Sequence, residues 1–197
     1  MLEIVVIMVV LMLDQGSKII AADWLTTLPD STYPLIKDIF HLSYVENRGA
    51  AFGMLQNGRV YFLIVTVIVC AAIAVFLIKR RGKLHFLLRF SLALIVGGAL
   101  GNFIDRAYLG YVRDMFYAVC INFAVFNVAD SAICIGSVLL FLDLMFFKGK
   151  YLFEDTPKTA IEAETDDDAP KTQEINGDTK TMPAVSTARQ EQSEDVD

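Results

Sequence analysis

The chain has 197 residues, 55% of them hydrophobic, with 17 Lys and Arg against 23 Asp and Glu, a net charge of -6. Such a composition is too apolar for a small soluble domain, whose surface must be largely polar. The charge is also divided: residues 151–197 hold thirteen acidic and four basic side chains, so a mildly basic, hydrophobic body of 1–150 precedes an acidic tail.

In chain order, the first apolar stretch runs from about residue 2 to 22 and contains Asp14 and Lys18. It lacks a basic leading region, and Asp14-Gln15-Gly16-Ser17-Lys18 interrupts it where a cleavage site would follow, so a retained helix is expected rather than a signal peptide. Asp14 and Lys18 are four apart and can pair on one helix face. Between Pro34 and Phe52 the pattern partly alternates and meets Asn47-Arg48-Gly49, which predicts short strands with a turn at the membrane surface. The second stretch, 60–78, has no charge at all. The third, 84–104, carries Arg89 near its start and small residues at Gly97-Gly98-Ala99-Leu100-Gly101, which favour close helix packing. The segment Asp105–Phe123 is rich in aromatic residues and reads as an interfacial belt. The fourth stretch, 124–147, contains Asp130 and Asp143. Each stretch matches the roughly 20 helical residues that cross a hydrocarbon core, so four transmembrane helices are expected. From about Glu154 onward the tail has too little apolar surface to offset its ordering entropy, and disorder is expected.

Lys79, Arg80, Arg81 and Lys83 fill the loop between the second and third spans, and Lys148 and Lys150 follow the fourth. The excess of basic residues marks the cytoplasmic side. Both termini and the tail are then cytoplasmic, and Asp23–Arg59 and Asp105–Phe123 lie outside.

Ionisable groups inside a bilayer cost several kcal/mol unless paired or hydrated, so each needs a reason. Arg89 and Asp143 lie near the cytoplasmic ends of their spans, Arg89 able to snorkel and Asp143 to reach the interface near Lys148. Asp130 sits near the outer end of the fourth span with no basic residue within four positions. Asp114 lies in the outer segment just before it. Brought to hydrogen-bonding distance, two carboxyls share one proton, which poises one as a base toward water and the other as an acid. Spacing alone leaves this open beside a proton-coupled transporter and a non-catalytic membrane scaffold. The histidines, His41 and His85, form no HExxH motif, and Cys70, Cys120 and Cys134 show no CxxC spacing, so no metal or cofactor is expected. No nucleic-acid partner is expected.

Five stretches, taken together and in order, resemble the lipoprotein signal peptidase (signal peptidase II) family. They are Asp14-Gln15-Gly16-Ser17-Lys18, Asn47-Arg48-Gly49-Ala50-Ala51-Phe52-Gly53, Gly97-Gly98-Ala99-Leu100-Gly101-Asn102-Phe103-Ile104-Asp105-Arg106, Val112-Arg113-Asp114-Met115 and Phe126-Asn127-Val128-Ala129-Asp130-Ser131-Ala132-Ile133. The resemblance covers about 1–150. It implies an all-α membrane protein of four transmembrane helices, with a small extracytoplasmic β-cradle around Pro34–Phe52 and a short interfacial helix or loop. It further implies an aspartic endopeptidase of the bacterial cytoplasmic membrane that removes the signal peptide from diacylglyceryl-modified prolipoproteins, cutting before the lipidated cysteine. By motif position Asp114 and Asp130 would be the catalytic pair at the outer leaflet. Asn47, Asn102, Arg106, Asn127 and Ala129 would line the site or orient that pair, with Asp14, Lys18 and Gly49 in support. Its partners would be the prolipoprotein, membrane lipid and inhibitors of the globomycin type, and it would act as a monomer. This sequence departs from the family pattern at Arg113, where an aliphatic residue is usual. That guanidinium is expected either to stabilise the Asp114 carboxylate or to point at lipid headgroups. The stretch between the aspartates is short, implying a small loop over the site, and the acidic tail has no expected counterpart.

Overall fold

The structure, a computed structural model, describes residues 1–49, 58–80, 82 and 84–146. The chain divides into a compact unit, Met1–Asp155, and a second, Thr156–Asp197, that lies wholly outside the described residues. So do the expectations for Ala50–Gly53, Arg81, Lys83, Lys148, Lys150 and the tail.

Four helices are long and apolar enough to cross a membrane: α1 (Leu2–Leu25), α2 (Arg59–Lys79), α3 (Phe86–Tyr108) and α4 (Val128–Phe146). Three strands, β1 (Thr32–Ile36), β2 (Phe40–Asn47) and β3 (Val112–Ala118), form one antiparallel sheet in that order. Two of the strands answer the alternation seen around Pro34–Phe52. The third falls in the aromatic segment Asp105–Phe123, where β2 offers a free edge and Val112–Ala118 pairs along it from Asn47↔Val112 to Phe40↔Ala118, with a one-turn helix, Val119–Ile121, following it.

Span ends also shift. α3 continues to Tyr108, so Asp105 and Arg106 are helical rather than part of the outer segment. α4 begins at Val128, not near 124. Its apolar lead-in is bound to the sheet instead: Phe116 N donates to Phe126 O (2.8 Å), and Phe126 N donates back to Phe116 O (3.0 Å).

Small residues set the bundle. A methyl at Gly98 would run into the carbonyl oxygen of Ala129, and one at Gly136 would lie 2.8 Å from Ser91 O, so α3 and α4 meet backbone to backbone. Gly101 leaves room for the Asp14 carboxylate, 2.5 Å from where a Cβ would stand. α2 is apolar on every face and buries none of its residues, as expected of a helix bathed by lipid. Near the inner ends, Arg89 is held by an acid of another span rather than left free at the interface. Arg89 Nε bonds Glu3 Oε1 at 2.6 Å. Asp143, 1% exposed, lies 3.4 Å from His85 Nδ1, so it does not reach outward as the sequence suggested.

Candidate active site

Asn127 stands immediately before α4 and builds the site from the helix end outward. Its Oδ1 accepts from Asp130 N (2.9 Å), while Asp130 Oδ2 accepts from Asn127 N (3.2 Å). This reciprocal cap satisfies two backbone donors that a helix start leaves open. It also fixes two functional groups at once. The Asn127 carbonyl is committed to the backbone, so its Nδ2 must turn away, where it donates to Asp114 Oδ1 (2.6 Å) and Asn102 Oδ1 (3.1 Å). Asp130 retains Oδ1, which accepts from Asn102 Nδ2 at 2.7 Å.

Asp114 comes from the sheet. It lies opposite Val45 in the β2–β3 register, and strand alternation places Asn47 on the same face. Asn47 Nδ2 donates to Asp114 Oδ2 at 2.9 Å, its own Oδ1 being held by Gly49 N (3.0 Å). Both aspartates therefore accept an amide donor on one oxygen and a second N–H on the other. No direct hydrogen bond joins the two carboxyls among the described residues; Asn127 and Asn102 bridge them instead. The direct sharing expected from sequence gives way to amide relays, because each carboxylate oxygen already faces a fixed donor.

Asp114 is 1% exposed, and burial, aided by the nearby Asp130 charge, pushes its carboxyl up to about 7 against the pull of the two amides. Asp130 lines a cavity of about 430 Å³ with Asn47, Asn102, Arg106, Phe62 and Cys134. Arg106 holds the rim: Nη2 donates to Gly49 O (3.1 Å), and the guanidinium lies 4.6 Å from the Phe62 ring of α2.

Among the described residues Ala129 makes no hydrogen bond to the Asp114 or Asp130 carboxyl. Its backbone N donates to Asp14 Oδ1 (2.9 Å), so it joins α4 to α1. Lys18, fully buried, donates to Asp14 Oδ2 (2.8 Å) and to Asn102 Oδ1 (3.0 Å), and lies 3.6 Å from Asp105 Oδ2. Arg113 departs from both sequence expectations. Neighbouring side chains on a strand point to opposite faces, so its guanidinium leaves Asp114 and grips Asp105 through Nε (3.1 Å) and Nη2 (2.8 Å). Sequence reasoning gave no site role to Gln15, Asp105, Phe62 or Cys134. Gln15 and Asp105 lay inside quoted motifs, but no pattern signalled their partners.

A family model described as signal peptidase (SPase) II matches residues 6–146. The chain belongs to the signal peptidase II family. Among its relatives, a lipoprotein signal peptidase of Caldanaerobacter subterraneus subsp. tengcongensis is 48% identical over 152 residues, covering 75% of this chain and 98% of the relative. One of Clostridioides difficile is 45% identical over 152 residues, covering 76% and 99%. The fold is similar to a solved structure described as a bacterial membrane enzyme studied by the in meso method at 2.3 Å, with a TM-score of 0.67 and 30% identity, covering 75% of this chain and 90% of that one. The range matched by the signal peptidase II model contains every side chain of the site described above. Like the fold, it makes this a multi-pass membrane protein.

Proposed function

We propose that this chain is a membrane-embedded aspartic endopeptidase that removes the signal peptide from diacylglyceryl-modified prolipoproteins, cutting before the lipidated cysteine. The observation that carries this reading is the joining of two carboxyls, a buried Asp114 from the sheet and Asp130 from a helix start, through Asn127 and Asn102, with Asp130 on the wall of a cavity lined by residues of three spans. Residues 1–150 constitute the peptidase. The sheet side faces out and both termini face the cytoplasm, a placement supported by Lys79 and Arg80 at the far end of α2 from the site.

Asp114, whose carboxyl is raised to about 7, is assigned the proton of the pair, and Asp130 the role of base. Asp130 takes a proton from water as its oxygen attacks the scissile carbonyl carbon. Asp114 first donates a hydrogen bond to the developing oxyanion, then delivers its proton to the leaving nitrogen as the C–N bond breaks. The products are a signal peptide ending in a carboxylate and a lipidated cysteine with a free α-amine. Asn102 and Asn127 orient the pair, Asn47 holds Asp114, and Arg106 and Gly49 shape the rim, with Asp14, Lys18 and Ala129 holding the helices behind them. Inhibitors of the globomycin type would occupy the same cavity, excluding the acyl-cysteine segment of the substrate.

Incubation of the purified protein in detergent with a lipidated precursor peptide should release the two products, identified by mass, and the same peptide without lipid should remain intact. Absence of cleavage of the lipidated peptide overturns the reading.

The pH profile follows from Asp114. Below about 7 its carboxyl keeps the proton; above it, both aspartates are charged and no acid remains for the leaving amine. The expected result is that kcat/KM falls on the alkaline side by about tenfold per pH unit, measured by initial rates between pH 6 and pH 9 (a range of about three units spanning that titration). A flat profile across it would remove Asp114 as the acid.

A further inference from the structure

The Arg113 side chain touches neither aspartate of the pair in any hydrogen bond among the described residues, yet it is tied to two spans. Its guanidinium forks onto Asp105 through Nε (3.1 Å) and Nη2 (2.8 Å), the same Nη2 reaches Gln15 Oε1 (3.0 Å), and its backbone N donates to Asp105 Oδ2 (3.0 Å). Gln15 closes the arrangement by donating to Asp105 Oδ1 (3.2 Å) and Gly101 O (3.1 Å). The start of β3 is thereby fastened to α3 and α1, and the residue next along that strand is Asp114.

A second connection runs through charge. Asp14, Lys18, Asp105 and Arg113 form a buried group with two negative and two positive members. Because Arg113 neutralises Asp105, Lys18 sits at 3.6 Å from that carboxylate and keeps a donor for Asn102 Oδ1 at 3.0 Å. An ammonium can only donate. It therefore holds the Asn102 carbonyl toward itself and the Asn102 amine toward Asp130.

From these two connections we infer that Arg113 is a positioning residue for both carboxyls, holding Asp114 through the register of β3 and Asp130 through Asp105, Lys18 and Asn102. The inference rests on the proposed role of Asp114 and Asp130. The charged and titratable groups that face Asp130 are Asp14 and Lys18 from α1, Arg106 from α3, and Asp114 from β3; Asp105, Tyr44 and Asp14 face Arg113. Loss of Arg113 leaves that group one negative charge in excess. Lys18 is then drawn to Asp105 and away from Asn102, and ionisation of Asp130 is disfavoured.

The test compares Arg113→Met, Arg113→Lys and Arg113→Met with Asp105→Asn, in detergent, on a lipidated precursor, with folding followed by thermal unfolding. Arg113→Met should lower kcat by about 10- to 100-fold, the scale of a small misplacement of reacting groups, with KM little changed. Its acid limb should move up by roughly one pH unit. Adding Asp105→Asn restores charge balance, so the acid limb should return to the parental position while kcat stays low. Arg113→Lys keeps the charge and loses the planar fork, so it should show a parental acid limb and a lowered kcat. Parental kcat and pH profile in folded Arg113→Met overturn the inference. If that variant does not fold, parental kcat in Arg113→Lys overturns it equally. Asp114→Asn is run alongside: cleavage by it would overturn the role of the pair itself, a different result from an indifferent Arg113.

Discussion

Asp130→Asn and Asp114→Asn each lower kcat on a lipidated precursor by about 10²- to 10⁴-fold, the range contributed by a positioned acid or base. An amide has neither the basicity to take a proton from water nor an acidic proton for the leaving amine. The fold should survive both changes. At position 130 the carboxylate accepts from Asn127 N on one oxygen and Asn102 Nδ2 on the other, so an amide leaves one of these donors facing an N–H. At position 114 the two donors are Asn47 Nδ2 and Asn127 Nδ2. One unsatisfied buried donor costs about 1–3 kcal/mol. For Asp114 the removal of a buried carboxylate offsets part of that above pH 7, since the neutral amide has no charge to desolvate. Single-turnover cleavage and thermal unfolding in detergent, run side by side, separate lost chemistry from lost structure. Either variant cleaving at near the parental rate would sink the assignment.

Legibility in the sequence followed the range of the interaction. The spans were plain because burial in lipid is written residue by residue, and α2, with no charge between Val60 and Ile78, is the extreme case. The pairing of Asp14 with Lys18 was plain because both lie on one helix face. β3 was not. Its alternation of Val112, Asp114 and Phe116 against Arg113, Met115 and Tyr117 was present, but a strand needs an edge to bind, and that edge is β2, some 65 to 78 positions earlier along the chain. The same cause moved the start of α4: hydropathy cannot distinguish an apolar Phe126 inside a helix from one paired to Phe116 in a sheet. Once Asp114 is known to lie on a strand, the turn of Arg113 to the opposite face follows from the pleat alone. For Asp143 the sequence offered only a neighbour along the chain, whereas His85, 3.4 Å away, comes from the residue that precedes α3. The convergence of Asp114 and Asp130 was implied by the family resemblance; the amides that separate them were named as site residues, but their bridging geometry had no local signal.

The polar group behind the site should prove as important to folding as the pair is to chemistry. Lys18→Met is expected to destabilise the protein by about 3–5 kcal/mol, the cost of removing one partner from a buried ion pair. The ammonium is fully buried and serves Asp14, Asn102 and, at 3.6 Å, Asp105. Without it, two carboxylates that are 0% and 1% exposed share only the Arg113 guanidinium, which already points at Asp105. Asp14 then stands charged with a backbone donor from Ala129 and the Gln15 amide but no cation in contact. Adding Asp14→Asn to Lys18→Met removes that stranded charge and leaves Asp105 paired with Arg113. The double variant should therefore unfold at a higher temperature than Lys18→Met alone, a reversal that additive losses cannot produce. Thermal unfolding of the four proteins in one detergent gives the coupling directly. If Lys18→Met matches the parent, the ionic group is not what fastens α1 to α3. If the double variant is the least stable of the four, its members act independently and the charge-balance argument fails.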